Sequence, residues 1–320
     1  MEEKMYLTPI TKCQTGENGI NLYIKRDDLL PFSFGGNKAR IAQEFYLDMD
    51  AKQKNCMIGY GNARSNLSRA LANMNSNRCG ECHIISPSDD DGNRIMTNNS
   101  FMVHACGAKF HECSKQKVAE TVEQVIQQCE EEGFRPYYIY GNKYGKGNES
   151  VPVRAYAKVY QEILEQEDDL GIQFDYIFLS TGTGMTQSGL LAGKTFAKRD
   201  VQKIVGISVA RKSEQEIPVI KNYLDAYFEE VSEHFPETYP EILVDDNYLC
   251  GGYGKYTEEI EETIRLMFVE NGIPLDPTYT GKGFYGMTQY LKKNKIENVN
   301  VLFIHTGGVP LFFDNMQLLR

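Results

Sequence analysis

The chain has 320 residues, 41% of them hydrophobic and 24% charged, and a net charge of -10. That length can bury a substantial core in one large domain or two smaller ones, while the negative balance, with no basic block to offset it, argues against a nucleic-acid or anionic-membrane partner. No apolar run approaches a membrane span and the first ten residues hold no signal-peptide core, so a cytoplasmic location is expected.

In chain order, strand-like Leu22 to Arg26 leads into Gly35-Gly36-Asn37-Lys38, and Ala39 to Asp50 reads as a helix. Asn55 to Tyr60 reads as a buried strand, followed by a polar turn and a helix over Leu67 to Asn75. The pattern recurs. His83 to Ser86, Ala108 to His111 and Tyr137 to Tyr140 read as strands, with helices over Arg94 to Ala105, Lys115 to Glu132 and Val153 to Glu167. Phe174 to Leu179 and Lys203 to Ser208 continue the strands, and Gln187 to Lys198, Glu214 to Glu230 and Glu258 to Glu270 the helices; Val299 to His305 is a last strand. Such alternation predicts an α/β fold with open, mainly parallel twisted sheets flanked by helices. No Gly/Ser linker marks a boundary. Size suggests a large domain from 1–40 and 151–320 with a smaller α/β domain, 41–150, inserted in it.

The eight cysteines of a cytoplasmic chain are expected to be reduced thiols. Cys79-Gly80-Glu81-Cys82-His83 has the spacing of a c-type haem attachment, and with His104, Cys106, His111 and Cys113 it suggests zinc. Haem attachment needs an exported chain, however, and the strand beginning at His83 draws the second cysteine and the histidine into packing. No metal is expected.

Ligands of open α/β sheets lie at the carboxyl ends of strands, where this chain has polar loops expected to meet in one cleft. The first ends on an amine: Lys38 follows a Gly-Gly-Asn turn that lets backbone come close to a flat ligand, and a lysine desolvated there forms Schiff bases. In the second, Ser65 and Asn66 begin a helix and suit a carboxylate, Ser65 being equally an ordinary helix cap. The third, Thr181-Gly182-Thr183-Gly184-Met185-Thr186, offers glycines, hydroxyls and helix N-terminal amides to a small phosphate; it is neither a P-loop nor a dinucleotide fingerprint. In Asp276-Pro277-Thr278-Tyr279-Thr280-Gly281-Lys282, Tyr279 stands between a proline turn and a helix start, where its phenol can serve as an acid or base.

Taken together, Lys25-Arg26-Asp27-Asp28 with Phe34-Gly35-Gly36-Asn37-Lys38, then Ser65-Asn66, Thr183 to Gly189, Asp276 to Lys282 and His305-Thr306-Gly307-Gly308, resemble the fold type II pyridoxal-phosphate enzymes. The resemblance is to the group holding 1-aminocyclopropane-1-carboxylate deaminase and D-cysteine desulfhydrase. It implies that Lys38 carries pyridoxal 5'-phosphate, that Thr183, Gly184, Met185 and Thr186 hold the phosphate, and that Asn37 lies beside the ring. Thr280 or Thr306 is then expected near the ring nitrogen, Ser65 and Asn66 on the carboxylate of a small amino-acid substrate, and Tyr253 and Tyr279 near the reacting carbons. A homodimer is a further expectation of the family.

The implied reaction is α,β-elimination giving a 2-oxo acid, ammonia and a leaving group such as sulfide, with β-replacement, racemisation and dehydration as alternatives within the fold. A non-catalytic anion binder is the alternative outside it. The deaminases of the group have Glu after the tyrosine and Leu in the His-x-Gly-Gly segment, where this chain has Thr280 and Thr306, as desulfhydrases do. Two departures concern both subgroups. Ile41 replaces a usual lysine, and Arg64 replaces a glutamine before Ser65-Asn66. A guanidinium there suits a second anionic group on the substrate.

Overall fold

The computed structural model describes residues 7–13, 18–88, 95–231 and 236–320. Ten strands and ten helices follow in chain order: β1 (Ile10–Lys12), β2 (Asn21–Lys25), α1 (Asn37–Ala51), β3 (Cys56–Tyr60), α2 (Asn66–Ser76), β4 (Glu81–Pro87), α3 (Asn98–Ala105), β5 (Lys109–Cys113), α4 (Val118–Glu131) and β6 (Pro136–Tyr138), among the described residues. The second half continues with α5 (Val151–Leu170), β7 (Tyr176–Thr181), α6 (Met185–Phe196), β8 (Lys203–Ser208), α7 (Ser213–Val231), β9 (Leu243–Asp245), α8 (Glu258–Asn271), α9 (Thr280–Lys293), β10 (Asn300–Ile304) and α10 (Val309–Phe313). The chain is an α/β protein with two open sheets flanked by helices. It divides into two compact units, 1–37 with 153–320, and 38–152.

The first unit holds a six-stranded sheet in the order β1-β2-β10-β7-β8-β9. All its pairings are parallel except β1 on β2. The apolar runs that read as strands are buried on both faces, as parallel strands require: Ile177, Phe178 and Leu179 of β7 and Val301 to Ile304 of β10 are fully covered. Phe178, Val205 and Phe303 pack with Ile264, Met267 and Phe284 of α8 and α9 in one core cluster. Gly272, with φ 66°, ends α8 in the left-handed conformation expected of Asn271-Gly272. Polar groups also set the frame. Lys25 is fully buried and donates to the Thr8 carbonyl at 2.7 Å, to Gln166 Oε1 at 2.7 Å and to Glu162. This ties the N-terminal arm to α5.

The second unit holds a four-stranded, all-parallel sheet in the order β5-β4-β3-β6. Contacts place α2 against β3 and β4, and α4 against β4, β5 and β6. The helix expected from Arg94 begins at Asn98, where Thr97 and Ser100 form a reciprocal capping box; Arg94 itself lies outside the described residues. Among the described residues no helix is long and apolar enough to cross a membrane.

Candidate active site

In the first unit, three sequence motifs interlock through their backbones. Ser33, Phe34, Gly35 and Gly36 all have positive φ, 48°, 58°, 64° and 92°. The turn is held by the Gly36 amide donating to the Asp27 carbonyl at 2.7 Å and the Asn37 amide to the Thr306 carbonyl at 3.1 Å. There is no room for side chains: a Cβ on Gly35 would lie 2.3 Å from the Asp28 carbonyl oxygen, and one on Gly36 2.8 Å from that of Thr306. From the other side, a Cβ on Gly307 would lie 2.7 Å from the Gly36 Cα, and one on Gly308 2.1 Å from Asp276 Oδ2. The glycines therefore let the lysine turn, the end of β10 and the Asp-Pro-Thr-Tyr segment pack together. His305 fixes the middle segment, its Nε2 lying 2.9 Å from the Pro274 carbonyl and its Nδ1 accepting from the Gly307 amide at 3.2 Å.

Asn37 is buried and its Nδ2 donates to Thr186 Oγ1 at 2.8 Å. Thr186 lies in the first turn of α6, whose N-cap residue Gly184 has φ 77° and which receives no side-chain cap. A Cβ on Gly184 would meet Ile220 Cγ1 at 2.9 Å. The first-turn N–H groups of such a helix have no intrahelical acceptor and carry the positive end of its dipole. Met185 is fully buried. The preceding turn is braced by Arg211, which donates to the Gly182 carbonyl at 2.8 Å and pairs with buried Glu216 at 3.0 Å.

Asp276 is fully buried and organises the start of α9. Its Oδ1 accepts from the amides of Thr278 and Tyr279 at 2.9 Å each, and its Oδ2 from the Thr280 amide at 3.1 Å and the Thr280 hydroxyl at 2.8 Å. Burial pushes this carboxyl up, against the hydrogen bonds that favour its charged form. The Thr280 hydroxyl also accepts from the Asp276 amide at 2.8 Å. Of the two threonines expected near a ring nitrogen, Thr280 is thus committed to the helix cap. The Thr306 hydroxyl makes no hydrogen bond among the described residues.

Tyr279 and Tyr253 meet through their phenol oxygens, rings at 69° with centroids 5.8 Å apart. Tyr253 sits in a glycine loop that Lys282 holds: its Nζ, fully buried, donates to the carbonyls of Leu249 at 2.9 Å and Gly252 at 2.8 Å. Desolvation lowers the Lys282 pKa to about 8. Lys282 stands in the sequence motif, yet nothing in the spacing signals that it anchors a loop some thirty residues earlier in the chain.

In the second unit, Lys38 is half-buried in the first turn of α1. Ser65 is the N-cap of α2, its Oγ accepting from the Ser68 amide at 3.1 Å, which leaves its O–H as a donor. Asn66 Oδ1 accepts from Arg69 Nη1 at 2.7 Å and Asn99 Nδ2 at 3.0 Å, and Arg69 Nη1 also donates to Asn99 Oδ1 at 2.7 Å. Asn99 reaches the Arg64 carbonyl as well, at 3.1 Å. The turn carrying Arg64, Ser65 and Asn66 is therefore braced from beneath by buried Arg69 and Asn99, neither of which any sequence pattern marks.

The sequence profile described as "Pyridoxal-phosphate dependent enzyme" matches residues 2–307. The chain belongs to that family. This enzyme is 30% identical to a putative 1-aminocyclopropane-1-carboxylate deaminase of Pyrococcus furiosus over 91% of the chain and 85% of the relative. It is 27% identical to a D-cysteine desulfhydrase of Serratia proteamaculans, over 92% of the chain and 88% of the relative. Its structure matches that of a protein described as an ACC deaminase homologue with a TM-score of 0.81 at 27% identity, covering 98% of this chain and 93% of the other. The enzyme uses pyridoxal phosphate, and its residues suit that cofactor: an amine after a glycine turn, an uncapped α6 N-terminus opened by a left-handed glycine, and a buried amide that orients the Thr186 hydroxyl.

Proposed function

We propose that the enzyme is a lyase that removes a leaving group from the β-carbon of a small amino acid, in the manner of a D-cysteine desulfhydrase. The observation that carries this reading is the phenol pair of Tyr253 and Tyr279. A departing thiolate or similar group needs a proton; Tyr279 can deliver one and recover it from Tyr253 without a passing water.

Pyridoxal phosphate supplies an aldehyde that captures amines and a conjugated ring that accepts an electron pair from the α-carbon. The remaining work falls to the chain. The α6 amides, with the hydroxyls of Thr183 and Thr186, bind the phosphate. Asn37 steadies Thr186. Thr306 would supply a neutral hydroxyl partner to the cofactor, a partner that suits β-elimination. Lys38 would hold the cofactor through its amine and, when free, can take the α-proton; Ser65 is the other candidate base. Ser65 O–H and the Asn66 amide bind the substrate carboxylate, and Arg64 reads a second acidic group. The products are a 2-oxo acid, ammonia and the protonated leaving group.

The purified protein is expected to be yellow, to lose that colour on borohydride reduction, and to carry the label on Lys38. A screen of D- and L-amino acids bearing β-leaving groups should then yield a 2-oxo acid. Accumulation of a new amino acid when sulfide is added would instead assign β-replacement, and inversion of the substrate without 2-oxo acid would assign racemisation.

A further inference from the structure

The inserted unit carries a second cluster of reactive side chains, at a position the cofactor chemistry does not use. Cys56 on β3, His83 on β4 and Cys129 on α4 are all fully buried, and their ligating atoms lie within 4.8 Å of one another. Cys56 Sγ is 3.5 Å from Cys129 Sγ, which is 3.5 Å from His83 Nε2. Glu81 Oε1 lies 3.3 Å from the same nitrogen. We propose that Cys56, His83 and Cys129 supply the protein ligands of a structural zinc site between the four-stranded sheet and α4.

Strand geometry explains the convergence. Glu81 and His83 are two residues apart on β4 and share a face, and Cys56 is the register partner of Glu81. α4 covers that face and supplies Cys129. Cys82 points to the opposite face, and Cys79 is exposed, so the Cys-x-x-Cys-His spacing is not what brings ligands together. Of that motif only His83 takes part. The sequence reading weighed only Cys79, Cys82 and their neighbours for a metal; Cys56 and Cys129, 73 positions apart, carry no spacing signal.

The separations at Cys129 are close to tetrahedral edges. With Zn–S of about 2.3 Å and Zn–N of about 2.0 Å, the edges come to about 3.8 Å between sulfurs and about 3.6 Å from sulfur to nitrogen. The two 3.5 Å separations fall within a few tenths of an ångström of these. The outer contacts fit as well. His83 Nδ1 lies 2.8 Å from His111 Nε2; in the tautomer in which His83 donates to His111, its Nε2 lone pair faces the two sulfurs, as in metal-bound imidazoles. Lys109 Nζ is 2.5 Å from Glu81 Oε1. Two thiolates and a neutral imidazole around a divalent cation leave no net charge. Two thiolates and an imidazole select zinc over the hard cations. Binding forms two S–Zn bonds as two S–H bonds break, with the protons released to solvent; no electrons move.

The test uses the full-length holoenzyme, stripped with a chelator under reducing conditions, reloaded with zinc chloride and passed through gel filtration. Elemental analysis is expected to find one zinc per chain in wild type and in Cys79→Ser, with at least a tenfold loss of retained zinc in Cys129→Ser. Cobalt chloride provides a readout that does not depend on variants folding. After borohydride has bleached the cofactor colour, wild-type protein should show the visible bands of tetrahedral cobalt and the near-ultraviolet thiolate charge-transfer absorption. Wild type that elutes without zinc, or with cobalt bands lacking the thiolate absorption, would overturn the proposal. So would a Cys56–Cys129 disulfide that persists in place of bound metal after reductant and zinc are supplied.

Discussion

The side-chain amide of Asn37 donates to the hydroxyl of Thr186, joining the residue before the lysine to the first turn of α6. The bond uses an acceptor lone pair of Thr186 and leaves its proton free to point at an anion. Thr186→Val, which keeps the shape and removes the hydroxyl, should therefore weaken cofactor binding by about tenfold or more, since a hydrogen bond to a charged group contributes about 1.5–3 kcal/mol. Titrating pyridoxal phosphate into the stripped protein checks this; an unchanged dissociation constant would remove Thr186 from the phosphate site.

Gly36 combines a φ of 92° with a Cβ position 2.8 Å from a backbone oxygen that has nowhere to go. Gly36→Ala should cost about 2 kcal/mol or more in urea unfolding. Gly133→Ala is a useful control, because its φ of 86° is equally left-handed but nothing lies within 4 Å of the added methyl. If both variants lose the same stability, the backbone interlock contributes nothing beyond local strain.

Lys282 gives a pH dependence of definite sign. Its folded pKa, about 8, lies below the ordinary 10.5, so the unfolded chain binds more protons between these values and stability should rise with pH there. The charging penalty is fully present below about 8 and gone above about 10.5. A neutral amine still has two N–H donors for its two carbonyls. The stability difference between wild type and Lys282→Met should therefore grow in favour of wild type from pH 8 to 10.5. A flat or falling difference would mean that the buried amine stays charged.

Removing the Tyr279 hydroxyl should act on the chemical step. Tyr279→Phe is expected to lower kcat with D-cysteine by about a hundredfold, the usual order for losing a positioned acid, and Tyr253→Phe by less, since Tyr253 would only restore the proton. A drop confined to KM in both variants would recast the pair as substrate contacts.

Arg64→Gln restores the residue usual before Ser-Asn in this group. It should raise kcat/KM for D-cysteine and lower it about tenfold for an amino acid with a second acidic group. Equal turnover of D-cysteine by the two proteins would leave Arg64 without a role in selectivity.

Much of this was legible in the chain because the signals are local. Apolar runs of strand length followed by glycine turns gave β3, β7, β8 and β10 to within two residues, and Asn271-Gly272 marked the end of α8. Short, half-exposed β1 and β9 carry too few apolar residues to stand out. Non-local support left no trace either. Arg69 and Asn99 beneath Ser65-Asn66, and Lys282 beneath Tyr253, are single polar residues whose partners are fixed by packing; sequence spacing holds no record of where they point. The Cys79-x-x-Cys82-His83 spacing gathers no ligand set, because alternate residues of a strand face opposite ways.

The position of β10 bears on how the protein is made. Residues 300–304 supply a central strand of the larger sheet, bonded to β2 on one side and β7 on the other, so β2 and β7 have no partner between them until residues 300–304 have been made. The inserted unit is complete by residue 152 and can fold on the ribosome well before then. A nascent chain halted before position 300 should accordingly expose two unsatisfied strand edges and call on chaperones until β10 emerges.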